Sequence, residues 1–436
     1  MLYHSTNHNS PIVNFKEATI KGQAPDKGLY FPESIPQLPK NFIGNIDNLS
    51  KEEIAYTVIQ PYIGDVIPKN ELERIVAETI NFEFPLVKVE ENIFSLELFH
   101  GPTLAFKDVG ARFMSRCLGY FVNHPDSYRD KKITVLVATS GDTGGAVANG
   151  FYNVDGVDVV ILYPSGKVSS VQELQLTTLG KNITALEVDG TFDDCQALVK
   201  KAFADDEVNK KLFLTSANSI NVARWLPQQF YYFFAYQQWK DKKNLPVISV
   251  PSGNFGNICA GILAHQSGLP VQHFIAACNA NNIVPNYMQT ENYTVKKSVA
   301  TLSNAMDVGD PSNFIRILEI FNKEFLSLKN VLTSYSISDE ETRSVVKDVF
   351  LNKNYLLDPH GAVGYIALKK YLETHPSLQG IFLETAHPVK FYDVVEPIID
   401  QPVPMPGAIK DLLKEKKRSI KINFDYASFK DFLLSK

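Results

Sequence analysis

The chain has 436 residues, of which 44% are hydrophobic and 21% are charged, with a formal net charge of −5. This length is sufficient for two or three domains around large buried cores. Acidic and basic residues are interspersed, so the composition argues against a nucleic-acid or a membrane partner. The four cysteines form no CxxC pair, which excludes the common zinc motifs and favours a reducing, cytoplasmic compartment. The sequence contains no run of about 20 apolar residues, so it predicts no membrane span.

Residues 1–90 differ in texture from the rest of the chain. Turn-rich stretches at 25–32 and 36–39 lead into helical patterns over 51–59 and 71–80. We expect a small N-terminal domain here.

From residue 133 onwards, short β-branched runs are each followed by a loop and a helical pattern. The predicted strands are 133–137, 157–162, 183–188, 247–250, 274–277 and 381–383. Strands that are apolar on both faces and alternate with helices indicate parallel α/β sheets. We expect a catalytic α/β region over 91–395 and a C-terminal segment over 396–436. Such sheets bind ligands beyond the carboxyl ends of their strands.

Lys107 lies where an apolar strand ends and an amphipathic helix begins, in the stretch HGPTLAFKD. A helix N-terminus and burial both disfavour the ammonium form of lysine. The neutral amine is the form that makes a Schiff base with an aldehyde. The alternative is a surface lysine whose stem lies along apolar neighbours.

A glycine-bearing turn at residues 250–258 joins a strand to a helix. Gly253 and Gly256 allow successive N–H groups to point at one anion, and the helix dipole adds to the attraction. The Walker lysine is missing, so nucleotide hydrolysis is not indicated. A tight strand-to-helix turn without a ligand is the alternative interpretation.

A second strand-loop-helix at residues 138–145 offers the hydroxyls of Ser140 and Thr143 beside free amides. This arrangement suits the carboxylate of a small substrate. Asp142 would repel such an anion, so it either caps the helix or orients a cofactor group.

Three further positions carry candidate chemistry. The hydroxyl of Thr385, at a strand end, can donate to an unprotonated heteroaromatic nitrogen. His387 could act as a general base, although a lone histidine before proline is more often structural. Arg224 and Lys167 could each clamp a phosphate or be ordinary surface charges.

Together these residues resemble the threonine synthase family, pyridoxal-phosphate enzymes of the tryptophan-synthase-β-like fold type II. The resemblance covers nearly the whole chain. It includes the N-terminal stretch 24–30 and seven motifs in order, which are HGPTLAFKD, TSGDTGGA, YPSGKVS, VQELQ, SANSIN, PSGNFGN and ETAHPVKF. It implies an α/β fold of two parallel-sheet lobes with a small N-terminal domain.

The resemblance also implies roles for particular residues. Lys107 would bind pyridoxal 5'-phosphate, and Thr385 would meet its ring nitrogen. The residues expected at the cofactor phosphate are Gly253, Asn254, Phe255, Gly256 and Asn257. The residues expected at the substrate are Ser140, Gly141, Asp142, Thr143, Lys167, Asn218 and Arg224.

The implied reaction converts O-phospho-L-homoserine and water to L-threonine and phosphate, by γ-elimination and β-hydration, in a monomer or homodimer. The sequence departs from the family pattern at three positions, and these departures concern local geometry. Many relatives have Trp where this chain has Val222, Asp where it has Asn257 and Gly where it has Lys27. A related serine or threonine dehydratase is one alternative. A catalytically idle relative that binds a phospho-ligand is another.

Overall fold

The computed structural model describes residues 1–123 and 133–436. Within these ranges the chain forms fourteen β-strands: β1 Leu2–Ser5, β2 Val13–Asn14, β3 Tyr30–Pro32, β4 Leu86–Lys88, β5 Ile93–Glu97, β6 Ile133–Ala138, β7 Val157–Pro164, β8 Ile183–Asp189, β9 Phe213–Ser216, β10 Val247–Pro251, β11 His273–Cys278, β12 Leu332–Ser336, β13 Gly380–Glu384 and β14 Ile420–Asn423.

The same ranges contain twenty α-helices: α1 Phe15–Lys21, α2 Lys40–Asn45, α3 Lys51–Ile63, α4 Lys69–Thr79, α5 Lys107–Asn123, α6 Asp142–Phe151, α7 Ser170–Thr177, α8 Phe192–Ala204, α9 Asp206–Lys211, α10 Val222–Trp225, α11 Phe230–Gln238, α12 Gly256–Gln266, α13 Ile283–Thr290, α14 Phe314–Ile320, α15 Phe325–Val331, α16 Asp339–Lys353, α17 Pro359–Thr374, α18 Tyr392–Ile399, α19 Gly407–Leu412 and α20 Tyr426–Leu434. None of these helices combines the length and hydropathy of a transmembrane span.

The chain divides into two compact units. The first unit comprises Met1, Phe31–Phe106 and Trp225–Pro404, and the second comprises Leu2–Tyr30, Lys107–Arg224 and Met405–Lys436. The predicted helices over 51–59 and 71–80 are confirmed as α3 and α4. A capping box between Ser50 and Glu53 begins α3, because each residue satisfies a free backbone amide of the other.

The first unit is built on a six-stranded sheet with the order β12-β11-β10-β13-β5-β4. All neighbours are parallel except β4, which runs antiparallel to β5. The three strands predicted in this region are confirmed as β10, β11 and β13. Every residue of these three strands is buried. Helix α17 packs against all three of them. Because β10 and β13 are neighbouring parallel strands, their carboxyl ends lie at the same edge of the sheet.

The second unit is built on a five-stranded parallel sheet with the order β14-β8-β7-β6-β9. Strands β6, β7 and β8 confirm the predictions, and the predicted α/β class with two parallel-sheet lobes is confirmed as well. Strands β9 and β14 are not predicted by the sequence pattern. Strand β14 is mostly exposed, so it lacks the apolar run that marks a buried strand.

Candidate active site

The turn between β10 and α12 has the geometry of an anion cradle. Gly253 is required here, because a Cβ at this position would lie 2.7 Å from the Cα of Met306. Phe255 precedes α12 in the left-handed region, with φ of +60°. Among the described residues no side chain caps this 11-residue helix, so its first amides keep their donor capacity.

Two asparagines of the cradle are held in different ways. Asn254 is tied down, because its side-chain oxygen accepts from Ser312 and its carbonyl accepts from Asn313. Asn257 is buried, and its Oδ1 accepts a hydrogen bond of 2.8 Å from the Tyr232 hydroxyl. Within the described residues, the Asn257 Nδ2 has no hydrogen-bond partner. A buried donor without a partner at a helix N-terminus is suited to an anion.

Thr385 follows β13 directly and is therefore at the same sheet edge as the cradle. Its carbonyl accepts a 2.9 Å hydrogen bond from the Phe106 amide, and Ala105 forms a bridge with Ala386. The Thr385 side chain is buried, and its hydroxyl forms no hydrogen bond with another described residue. The structure thus brings Thr385 and the cradle to adjacent strand ends.

A buried acidic cluster next to Thr385 was missed by the sequence analysis. The Glu384 Oε1 accepts a 2.7 Å hydrogen bond from the Asp358 amide. Burial and the charge of Asp358 raise the pKa of Glu384 well above its ordinary value, so we assign it as the neutral acid. An acidic residue at the end of the apolar run 380–383 was the signal that could have revealed it.

His360 links this cluster to the turn behind the cradle. Its Nδ1 lies 2.5 Å from the Asp358 Oδ1, and its Nε2 accepts a 3.2 Å hydrogen bond from the Ala305 amide. The Ala305 carbonyl oxygen and the Met306 Cα are the atoms that exclude a side chain at Gly253. The acidic cluster therefore supports the cradle from behind.

His387 has the surroundings of a structural residue. Its Nδ1 accepts a hydrogen bond of 3.1 Å from the Val389 amide, and its ring packs edge-on against Phe99. Burial, together with the charge of His100, lowers the pKa of His387 to about 4. The imidazole is neutral at pH 7, and its Nδ1 is occupied.

In the second unit, Lys107 is the first residue of α5, as predicted. Its Nζ lies 3.7 Å from the Asp142 Oδ2, and the lysine side chain is mostly buried. Of the two alternatives for Asp142, a helix cap or a group that orients the cofactor, the cap is wrong, because Gly141 occupies the cap position and Asp142 lies in the first turn. Instead, the Asp142 carboxylate lies beside the amine of Lys107.

The loop before α6 is partly satisfied by its own side chains. The Thr139 hydroxyl oxygen accepts from the amides of Gly141 and Gly144, at 2.9 and 2.8 Å. Two of the backbone amides that were expected to be available to a ligand are therefore already hydrogen-bonded. The half-buried hydroxyls of Ser140 and Thr143 form no hydrogen bond with any described residue. These two hydroxyls can bind a carboxylate.

The two candidate phosphate clamps differ in their surroundings. Arg224 is buried, its Nη1 donates to the Ala217 carbonyl at 2.9 Å, and its backbone packs closely on Gly110. Lys167 is exposed in the loop after β7, and its charge contributes to lowering the pKa of Asp194. Asn218 is half-buried. Its Oδ1 is buried and has no hydrogen-bond partner within the described residues.

Comparison with known proteins gives matches over the full chain. A model of the family described as pyridoxal-phosphate dependent enzyme matches residues 82–379. Models of the threonine synthase N terminus and C-terminal region match residues 2–80 and 361–433. The threonine synthase of Haemophilus influenzae is 45% identical, with all of both chains covered. The chain belongs to the threonine synthase family.

Solved structures agree with this family. The crystal structure of threonine synthase from Escherichia coli matches with a TM-score of 0.92 at 41% identity, covering 100% of both chains. The pyridoxal-phosphate-bound threonine synthase of Brucella melitensis matches with a TM-score of 0.92 at 34% identity, covering 99% and 98%. The chain is therefore a pyridoxal-phosphate-dependent lyase of threonine biosynthesis.

The residues of the cradle fit the phosphate of this cofactor. The loop offers helix-start amides and the unpartnered Asn257 Nδ2, which are neutral donors suited to a dianion. The close approach of Met306 to Gly253 shows that the turn leaves no room for a side chain there.

Proposed function

We propose that this chain converts O-phospho-L-homoserine and water to L-threonine and phosphate. The observation that carries the proposal is the full-length similarity to threonine synthases, including the N- and C-terminal regions particular to that family. The substrate is a small molecule, which accords with the absence of a polybasic patch in the sequence.

The cradle is the proposed binding site of the cofactor phosphate. Gly253, Phe255 and Gly256 would contribute main-chain amides, and Asn257 would add its side-chain Nδ2. Asn254 would contribute through its main-chain amide, and the bonds that Ser312 donates to its Oδ1 fix the position of the residue. Neutral donors are sufficient here, since the helix dipole also favours an anion.

Lys107 is the proposed amine that binds the cofactor covalently and then acts as the base. Pyridoxal phosphate, when bound, supplies an electron-poor ring that stabilises negative charge on the substrate. Lys107 would take a proton from the substrate Cα at its Nζ and later return it. The Thr385 hydroxyl would donate to the ring nitrogen and keep it unprotonated.

Ser140 and Thr143 are the proposed ligands of the substrate carboxylate. Their hydroxyls are half-buried and make no hydrogen bond with the described chain, so they can donate without losing an existing contact. Gly141 would contribute through its backbone conformation and not as a donor, because its amide already donates to the Thr139 hydroxyl.

Lys167 is the proposed cation for the substrate phosphate. Its ammonium is exposed and can reach a ligand, whereas the Arg224 guanidinium is buried and donates to Ala217. We expect Lys167→Met to raise the KM for O-phospho-L-homoserine at least tenfold, a loss of about 1.4 kcal/mol of binding, while cofactor absorbance persists. An unchanged KM in Lys167→Met would overturn this assignment, and a raised KM in Arg224→Met alone would move the role to Arg224.

Location in the cytoplasm, as a monomer or homodimer, completes the proposal. All four cysteines are buried and form no disulfide, which is typical of a reducing compartment. Light scattering of the purified protein would distinguish the two oligomeric states.

The reaction is tested with purified protein, pyridoxal phosphate and O-phospho-L-homoserine. We expect visible absorbance that Lys107→Ala abolishes, and equal release of phosphate and threonine. Formation of 2-oxobutanoate in place of threonine would indicate a dehydratase. A protein that never gains the absorbance would contradict the role of Lys107.

A further inference from the structure

The Asp142 carboxylate lies between two side chains of the second unit. Its Oδ2 is 3.7 Å from the Lys107 Nζ, and its Oδ1 accepts a 2.9 Å hydrogen bond from the Gln172 Nε2. Both Asp142 and Gln172 are buried. The carboxylate is therefore bound on one side by a neutral donor and faces the amine with its other oxygen.

Gln172 is itself fixed at its other end. Its Oε1 accepts from the Ser169 amide, and its own amide donates to the Ser169 hydroxyl, both at 3.3 Å. This is the capping box of α7. Gly141 permits the approach, because a Cβ there would lie 2.4 Å from the Gln172 Cδ. A glycine, a helix cap and a glutamine thus combine to orient one carboxylate.

The position of Asp142 suits a charge partner better than a substrate ligand. A carboxylate in the first turn of α6 is stabilised by the helix dipole. An opposite charge at this distance favours the ammonium form of lysine. A substrate carboxylate at the same place would instead be repelled by Asp142.

We propose that Asp142 is the charge partner of the Lys107 ammonium and that Gln172 is the residue that positions it. The inference rests on the proposed function of Lys107 as the base. When Nζ takes a proton, the proton remains on Nζ until it is returned to the substrate, and the Asp142 carboxylate stabilises the charge without accepting the proton. Asp108 follows Lys107 in the chain, and Arg224 packs on Gly110 of the same helix.

The proposal is tested by the reactivity of Lys107 in the protein freed of cofactor. Reductive methylation with formaldehyde and cyanoborohydride at pH 8 labels neutral amines, and mass spectrometry quantifies Lys107. We expect Asp142→Asn to raise the labelling rate about tenfold, because the ammonium loses its counter-charge. We expect Gln172→Met to raise it about threefold, since the carboxylate is kept but no longer held.

Asp189→Asn is the matched control, because it removes an exposed carboxylate from the same unit. Its labelling rate should equal that of the wild type. In the holoenzyme, Gln172→Met should lower kcat and leave KM unchanged. A change confined to KM would place Asp142 in substrate binding and overturn the proposal.

A separate measurement distinguishes this inference from the proposed function. Borohydride reduction of the wild-type holoenzyme should leave a pyridoxyl adduct on Lys107, and its absence would refute the proposed function. An adduct together with unchanged labelling in Asp142→Asn would refute only the charge partnership. If Asp142→Asn does not fold, Gln172→Met alone decides, and a wild-type labelling rate in it overturns the inference.

Discussion

At the scale of single residues, the Tyr232 hydroxyl orients Asn257. It donates to the Asn257 Oδ1 and lies 2.9 Å from the carbonyl of the same residue. The ring fits because position 261 is glycine, where a Cβ would lie 2.4 Å from the ring. One hydroxyl therefore holds the side chain whose Nδ2 is proposed to bind the cofactor phosphate.

We expect Tyr232→Phe to weaken cofactor binding about fivefold, because a neutral hydrogen bond contributes about 1 kcal/mol. The measurement is an absorbance titration of the cofactor-free protein with pyridoxal phosphate. Tyr236→Phe, on the same helix, is the control and should bind like the wild type. Equal Kd values for both variants would remove Tyr232 from the support of the cradle.

Glu384 gives a prediction on pH dependence. Its pKa is raised in the folded protein, so unfolding releases a proton from this carboxyl once the pH exceeds the ordinary value of 4.5. The folded state therefore loses stability relative to the unfolded state as the pH rises above that value. Glutamine keeps the neutral form at every pH.

We compare the free energy of unfolding of Glu384→Gln with that of the wild type. We expect this difference to favour the variant by about 1 kcal/mol or more at pH 8 relative to pH 5. Urea unfolding of the holoenzyme at both pH values measures the difference. Glu373→Gln, at an exposed position of α17, should show no such pH dependence. A difference that is constant with pH would mean that Glu384 is ionised in the folded protein.

At the scale of elements, the C-terminal segment is joined to the sheet of the second unit by an ion pair between the exposed Lys417 and the buried Glu187. The Lys417 Nζ lies 2.7 Å from the Glu187 carboxylate of β8, whose other oxygen accepts from the Ser165 hydroxyl at 2.6 Å. Burial opposes ionisation, but these hydrogen bonds outweigh it and lower the pKa of Glu187 to about 2. Ser165 begins the loop that carries Lys167.

We expect Lys417→Met to lower the free energy of unfolding at pH 7 by about 2 kcal/mol, because the Glu187 charge loses its partner. The stabilising effect of the pair is present above pH 4.5 and is lost as the pH falls towards 2. The difference between the variant and the wild type should shrink over this range. Lys414→Met, whose partner is an exposed aspartate, is the control and should change little.

At the scale of the whole molecule, local patterns predicted most of the buried structure. Strands β6, β7, β8, β10, β11 and β13 are apolar runs between turns, so periodicity locates them to within a few residues. The position of Lys107 at a helix start and the glycine turn at 253–256 follow from local sequence for the same reason.

Other features depend on contacts between distant parts of the chain. Strand β14 is placed by pairing with β8, and its four residues alternate between isoleucine and polar side chains over too short a stretch to predict a strand from the sequence. The contact of Asp142 with Gln172 joins residues 30 positions apart. Lys27 lies at φ of +69°, which accounts for the glycine expected there, yet only the structure gives that angle.

The second unit is assembled from three separated stretches of the chain, so its core depends on residues far apart in sequence. Phe429 and Leu433 of the last helix are fully buried in a cluster with Leu198 and Val208. Phe424, just before that helix, is instead 45% exposed. The two phenylalanines thus provide a matched pair within one C-terminal segment.

We expect Phe429→Ala to lower the free energy of unfolding by about 3–5 kcal/mol, because it leaves a cavity in this cluster. Phe424→Ala should change it by less than about 0.5 kcal/mol. Urea denaturation followed by circular dichroism measures both values on the full chain. Equal, small losses would mean that the last helix only covers a core that the preceding residues complete, and the C-terminal segment would then be dispensable for the stability of the second unit.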